Sequence, residues 1–319
     1  MHRTAHLIFN PVSGQGNAQR DLECILAQLS PELDLSVHET TPDCDARTLG
    51  RRSVEQGVDL VVVSGGDGTI NAVAEALTQS SIPLAIIPRG TANAIATALD
   101  IPSNLDDACK VALTGTVRAI DTARCNGHPM VLLAGIGLEA AVIDQVSRQA
   151  KDRLGTLAYV FSGIQQLREL DSFEATIETS DRIITVNASA ITIANIAPST
   201  SVLAQGPAQI IADDGLLDIT IVASEGIGRT LAASYELFRS AISNQAAQRD
   251  DVGYLRSSQV KITTNPQQKV VLDGEMMGTT PLEVSCVPQG LTLVVPEQPI
   301  LSKSEDLTGL PNINIEPKP

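Results

Sequence analysis

The stretch Leu60-Val-Val-Val-Ser-Gly-Gly-Asp-Gly-Thr69 joins an apolar, largely β-branched run to a turn of three glycines, one carboxylate and one hydroxyl. A run apolar at every position predicts a strand buried inside an α/β sheet, because it offers no face to water. Gly65, Gly66 and Gly68 are expected to take positive φ angles and let a ligand approach the backbone. The next helix, residues 70–77, would point unpaired N–H groups at an anion, and Asp67 stands where a magnesium-bound phosphate calls for a carboxylate. A tight strand-to-helix turn capped by Asp67 accounts for the same residues, and the loop alone does not separate the two.

Strand-like and helix-like segments alternate around that loop. Residues 5–9, 33–37, 60–63 and 83–87 read as strands. Residues 18–29, with Leu22, Ile25, Leu26 and Leu29 at helical spacing, and residues 44–56, 70–77 and 92–99 read as helices. This order predicts a parallel sheet covered on both faces, and such sheets collect ligands at the carboxyl ends of their strands. Asn10-Pro-Val-Ser-Gly14, Thr40-Thr41, the turn 64–69 and Pro88-Arg-Gly-Thr-Ala-Asn93 each follow a strand, so their polar groups converge on one sheet edge.

After Thr116 short strands take over. Residues 117–122, 130–134, 173–179, 183–188, 191–194, 217–222, 260–263, 269–272, 282–284 and 291–295 are strand-like, and Ser180-Asp181 marks a hairpin. Helical spacing there is confined to 138–146, 154–170 and 227–242. The expected organisation is an α/β domain over residues 1–122, a β-rich domain over 123–296 and an extended or disordered tail over 297–319.

Charge narrows the ligand. The 319 residues include 22 Lys and Arg against 37 Asp and Glu, a formal net charge of −15. That field opposes a long phosphate backbone and argues against nucleic acid, while small anions held by amides and magnesium remain compatible. With no Trp and 2% aromatic residues, the cores must be aliphatic. Cys24, Cys44, Cys109, Cys125 and Cys286 form no C-x-x-C pair and are expected as reduced, mostly buried thiols. No basic and apolar leader opens the chain, and no apolar run reaches the ~18 residues of a membrane span. The expectation is a cytoplasmic protein, soluble or peripheral at a membrane.

Other signatures fail. Gly135-Ile-Gly-Leu-Glu-Ala140 satisfies G-x-G-x-x-A, but no second strand ends in an acid ~20 residues on, as a dinucleotide site needs. No Gly-Lys pair occurs, which removes the G-x-x-x-x-G-K-[ST] phosphate loop. His2, His6, His38 and His128 are too dispersed for a catalytic pair or a metal cluster.

Four elements read together are more specific. Asn10-Pro-Val-Ser-Gly14, Gly65-Gly-Asp-Gly-Thr69, Pro88-Arg-Gly-Thr-Ala-Asn93 and Asp273-Gly-Glu275 stand in the order and approximate spacing of one family. Over residues 5–295 the chain resembles the diacylglycerol kinase catalytic-domain superfamily and looks like a bacterial lipid kinase of the diacylglycerol or sphingosine kinase type. NAD kinases are more distantly similar. The resemblance implies an α/β fold: an N-terminal parallel-sheet nucleotide-binding domain of the NAD kinase/diacylglycerol kinase type plus a C-terminal β-sandwich domain. It also implies ATP as donor, magnesium, and a lipid hydroxyl as acceptor, presented at a membrane surface. A homodimer is a further open expectation.

On that resemblance the nucleotide falls to Asn10, Pro11, Val12, Ser13 and Gly14, and to Thr40 or Thr41. Gly65, Gly66, Asp67, Gly68, Thr69 and Asn71 belong to the same set, with Gly90, Thr91 and Asn93. Phosphoryl transfer is mainly positioning and charge neutralisation, which amides and magnesium supply without a dedicated lysine. Asp67 and Asp121 are the candidate carboxylates organising catalytic magnesium through water, although Asp121 also reads as a strand-end turn cap. A second, structural magnesium is implied at Asp214 with the carbonyls of Ile211 and Leu216, where Asp-Asp-Gly is also an ordinary turn. Glu275 is assigned as the base for the hydroxyl, with Asp273 as its close partner; the sequence leaves these roles interchangeable, and a D-G turn is by itself a hairpin feature.

The chain departs from the family pattern at Ala94, where many bacterial members carry Asp, and at 195–201, which lacks a frequent aromatic and glycine-rich pattern. Both departures bear on the acceptor more than on ATP. An NAD kinase and a nucleotide-binding regulator without turnover are the competing functions. The apolar face of residues 154–170 has two readings, an acyl entrance or a face packed on the second domain.

Overall fold

The computed structural model describes residues 3–14, 16–137, 140, 172–197, 204, 210–223, 251–297 and 313–317. The helices expected over 138–146, 154–170 and 227–242 lie outside the described residues, Ala140 excepted. The chain forms two compact units, Met1–Thr122 with Pro288–Ile300, and Ala123–Val287 with Leu301–Pro319.

In the first unit, β1 (Arg3–Phe9), β2 (Leu33–Glu39), β3 (Leu60–Gly65) and β4 (Leu84–Pro88) form a parallel sheet in the order β2-β1-β3-β4. Every residue of β3 and β4 is buried, as a strand covered on both faces requires. On one face, α1 (Ala18–Leu29) and α5 (Leu105–Thr114) pack Leu22, Ile25, Leu29, Ala108 and Ala112 against Leu7, Leu60, Val62 and Ala85. The helices α2 (Ala46–Gln56) and α3 (Asp67–Leu77) pack on each other and on β1, β3 and β4. The short α4 (Ala94–Ala98) follows β4.

Caps set the helix ends. Asp45 accepts the Thr48 N–H at 2.7 Å, so α2 starts at Ala46 and not at Cys44, which pairs with Thr41 instead. The sequence reading passed over α5, which Asn104 caps through the Asp107 N–H at 2.9 Å.

The second unit is a β-sandwich. Its strands are β6 (His128–Met130), β7 (Leu133–Gly137), β8 (Phe173–Glu178), β9 (Arg182–Ala188), β10 (Ala190–Ala194), β11 (Leu217–Val222), β12 (Val252–Ser257), β13 (Gln259–Asn265), β14 (Lys269–Leu272), β15 (Glu275–Thr279) and β17 (Asn314–Pro317). Two more strands, β5 (Thr116–Cys125) and β16 (Leu282–Val295), contribute to both units. One sheet runs β17-β9-β8-β13 with the first part of β16, the other β12-β11-β10-β7-β14-β15, all antiparallel. Ile177, Val186 and Ile262 of one sheet share an aliphatic core with Ile136, Ile193, Ile219 and Leu255 of the other.

Several expectations change here. The two strands expected over 282–284 and 291–295 are one, β16, whose Leu282–Ser285 portion pairs with β13 while Leu293 and Val294 pair in parallel with Leu84 and Ala85 of β4. Gln289, at φ 51, lies between the two pairings. Residues 314–317 of the tail are a strand on β9. Gly135 and Gly137 sit in β7, antiparallel to both neighbours, so the parallel crossover of a dinucleotide site is absent. All five cysteines are free, but only Cys109 and Cys125 are buried, and burial pushes their thiols up to about 11 and about 12. No described helix is long and apolar enough to cross a membrane.

Candidate active site

The glycine loop works by close packing. Gly66 is the N-cap of α3 in an extended conformation (φ −91, ψ −179), and the helix begins at Asp67, not at Ile70. None of Gly65, Gly66 and Gly68 has positive φ, which corrects the expectation for this turn. A Cβ on Gly65 would stand 2.7 Å from the Thr69 Cβ, and one on Gly90 would stand 2.7 Å from the Gly66 Cα. The two loops therefore touch backbone to backbone. At Gly68 a Cβ would meet nothing within 4 Å, so its glycine has no steric reason in the protein itself.

Asp67 ties these loops together. Its carboxylate accepts the Asn93 N–H at 2.9 Å and the Ala94 N–H at 2.5 Å, which caps α4 from another helix. Asn93, left-handed at φ 50, accepts the Gly90 N–H at 2.7 Å and donates to the Gly90 carbonyl at 2.9 Å. Burial pushes the Asp67 carboxyl above its ordinary value, and the Ala94 and Asn93 amides oppose that rise.

The loop after β1 joins the same cluster. Ser13 Oγ accepts the Gly66 N–H at 3.2 Å, Asn10 Nδ2 donates to Thr69 Oγ1 at 2.7 Å, and Asn10 Oδ1 accepts the Val12 N–H at 3.0 Å. Thr40 N–H donates to the Phe9 carbonyl at 2.9 Å, while Thr41, Val12 and Thr91 are exposed. Asn71 donates to Glu75 at 3.2 Å, and its buried Oδ1 has no hydrogen-bond partner among the described residues. An acceptor buried in this way suits a donor from a bound group. The structure thus brings Asn10, Ser13, Gly66, Asp67, Thr69, Gly90 and Asn93 into one bonded cluster.

Arg89 belongs to that cluster and was missed in the sequence. Its side chain is 3% exposed, with Nε 3.0 Å from Asp21 Oδ2, a second nitrogen 2.9 Å from the same oxygen, and a third donating to the Asn10 carbonyl at 3.0 Å. An arginine within a turn of glycines and hydroxyls was the available signal.

The remaining carboxylates are engaged differently. Asp121 is 1% exposed and accepts the Gln289 N–H at 2.8 Å, so it holds the left-handed residue of β16. This is a long-range structural contact to β16 and not a cap on the turn that follows β5, and it occupies one of the acceptor positions of the carboxylate. Asp214 accepts the Leu216 N–H at 3.0 Å, and its other oxygen pairs with the Arg256 guanidinium. Arg256 Nε also lies 3.6 Å from Asp218, whose buried carboxylate accepts the Tyr254 hydroxyl. The Arg256 guanidinium thus already neutralises the Asp214 carboxylate that was expected to take magnesium with the carbonyls of Ile211 and Leu216, and the ion would have to share or displace it. Among the described residues no group of three or more His, Cys, Asp or Glu could hold a metal. Without nucleotide, thermal melts in magnesium and in EDTA are expected to share one midpoint; a magnesium-dependent rise that Asp214→Asn abolishes would restore the metal.

In the second unit Asp273 and Gly274, at φ 47 and 88, form the two-residue turn between β14 and β15. The Asp273 carboxylate accepts the Val131, Leu132 and Leu133 N–H groups at 2.8, 2.9 and 2.9 Å. It clamps the backbone entering β7, a structural duty that the sequence reading did not foresee. Glu275 opens β15 and is exposed.

Residues 4–125 match the model of the diacylglycerol kinase catalytic domain, and residues 133–295 that of the YegS C-terminal NAD kinase beta sandwich-like domain. An uncharacterized Synechocystis protein, sll0036, is 45% identical over 305 residues, covering 92% of this chain and 70% of that protein. A probable lipid kinase YegS-like of Stenotrophomonas maltophilia is 32% identical over 274 residues, 83% of this chain and 87% of that protein. Diacylglycerol kinase of Bacillus subtilis is 27% identical over 309 residues, 93% and 97% of the two chains. A crystal structure of a diacylglycerol kinase from Bacillus anthracis superposes with a TM-score of 0.71 at 24% identity, over 92% of this chain and 97% of that one, which speaks to the fold.

Proposed function

The chain belongs to the diacylglycerol kinase catalytic-domain family with its YegS-type β-sandwich, and on that premise we propose that it is an ATP- and magnesium-dependent kinase phosphorylating a lipid hydroxyl. The acceptor class is diacylglycerol or a sphingoid-like alcohol, met at a membrane surface by a cytoplasmic protein. The observation that supports this most is the bonded cluster in which Asp67 and Asn93 lock the Gly66 and Gly90 loops together.

In this reading Asn10, Ser13, Thr40, Gly66, Gly68, Thr69, Asn71, Gly90, Thr91 and Asn93 hold the nucleotide. The open space at Gly68 and the unpartnered Asn71 Oδ1 are the features a ligand would use. Magnesium, bound with the triphosphate, supplies charge neutralisation. Asp67 offers about four acceptor positions, more than its amide partners fill, and can still orient a metal-bound water. Glu275 accepts the hydroxyl proton. Ala94 contributes an amide to Asp67 and no carboxylate of its own.

Labelled ATP offered to the purified protein with a total lipid extract is expected to label a lipid, identified by mass. Label passing to NAD alone, or ATP binding with no labelled lipid, would replace this reading by one of its two rivals.

A further inference from the structure

Resting on the ATP reading above, we propose that Arg89 is a positioning residue for the nucleotide: its buried guanidinium fixes the loop 10–14. Five contacts carry the inference. The backbone N–H of Arg89 donates to the Gly65 carbonyl at 2.7 Å, which anchors the residue to the end of β3. The guanidinium stacks on Phe9, 4.4 Å from the ring centroid, at the end of β1. It donates to the Asn10 carbonyl and, through Nε, to Asp21 in the first turn of α1, with a second nitrogen in ion-pair range of the same carboxylate oxygen. Gly14, at φ 95, closes over it, since a Cβ there would lie 3.2 Å from the Arg89 carbonyl oxygen and 3.5 Å from a guanidinium nitrogen.

Packing alone does not explain such a residue. Burying a guanidinium is costly, and a hydrophobic side chain of similar volume would fill the space between Phe9 and Gly14 as well or better. What the hydrophobic side chain cannot do is hold the Asn10 carbonyl. Asn10 is the residue whose side chain reaches Thr69 and Val12, so the Arg89 fork orients the atoms that link the first loop to the glycine loop. Asp21 keeps the fork aimed, and its planar geometry is one that lysine cannot reproduce.

The test separates nucleotide binding from stability. In the full-length protein, ATP dissociation constants are measured by calorimetry for wild type, Arg89→Lys and Arg89→Met, with melting midpoints and the KM for ATP and for lipid. Arg89→Lys is expected to weaken ATP binding and raise the KM for ATP about 10-fold, and Arg89→Met about 100-fold, with the lipid KM and kcat near wild type. If Arg89→Met does not fold, Arg89→Lys decides. Wild-type ATP affinity in Arg89→Lys, or ATP and lipid KM rising together with lost stability, overturns the positioning role alone. A wild-type protein that binds no ATP overturns the function reading and this inference together.

Discussion

Replacing Asp67 with Ala is expected to reduce phosphoryl transfer about 100-fold or more and to cost about 2–4 kcal/mol of stability. Both effects come from the same two contacts. Without the carboxylate, the Asn93 and Ala94 amides lose their acceptor in a partly buried site, α4 loses its cap, and the Gly66 and Gly90 loops lose their tie. Asp67→Asn should be intermediate, because one oxygen can accept one amide while the other position presents a donor to a donor. Turnover and thermal melting measured side by side check this; wild-type rates in Asp67→Ala would remove Asp67 from the mechanism. The pH dependence has a defined sign. Burial holds the folded-state pKa above the unfolded value, so this group's charge opposes folding at neutral pH, and the opposition is relieved as pH falls through the raised pKa. Activity should move the other way: protonation removes an acceptor from the loop tie, so the acid limb of the rate profile is expected above the usual carboxylate range.

The second large effect separates Glu275 from Asp273, which the sequence left interchangeable. Glu275→Gln is expected to lower turnover about 100- to 10,000-fold with an unchanged melting midpoint, since the exposed side chain would lose only its role as proton acceptor. Asp273→Ala should instead destabilise the second unit by about 3–5 kcal/mol, because three backbone N–H groups at Val131, Leu132 and Leu133 lose one acceptor. That is a large share of the roughly 5–15 kcal/mol of a typical domain. Melting curves and rates on both variants check the assignment. A Glu275→Gln enzyme with normal turnover would pass the role of base to another group, and an Asp273→Ala protein melting like wild type would deny the clamp.

The fold was legible where local chemistry and burial agree. The apolar run 60–63, flanked by glycines and helical spacing, could only be a central strand, and the alternating residues of β8 and β9 announced their hairpin. Legibility failed where small residues make the period faint, as with Ala108, Cys109 and Ala112 of α5. It failed again between residues 284 and 291, which neither of the two expected strands covers, because each end of β16 finds its own partner. At the site, the sequence named Asp67 but not its work. A helix cap supplied from 26 residues away, an arginine reaching Asp21 across 68, or one reaching Asp214 is a tertiary contact, and residue type alone does not encode the partner.

One strand also bears on how the chain matures. The edge of β4 beyond β3 is covered only when residues 293–294 arrive, roughly 200 residues after β4 itself is made. A ribosome-bound polypeptide ending at Thr122 would hold Leu84-Ala-Ile-Ile-Pro88, apolar throughout, with one flank bare. Nascent chains of this protein should therefore depend on holdase chaperones until β16 emerges, and an amino-terminal fragment stopped at Thr122 should aggregate where the 319-residue chain stays in solution.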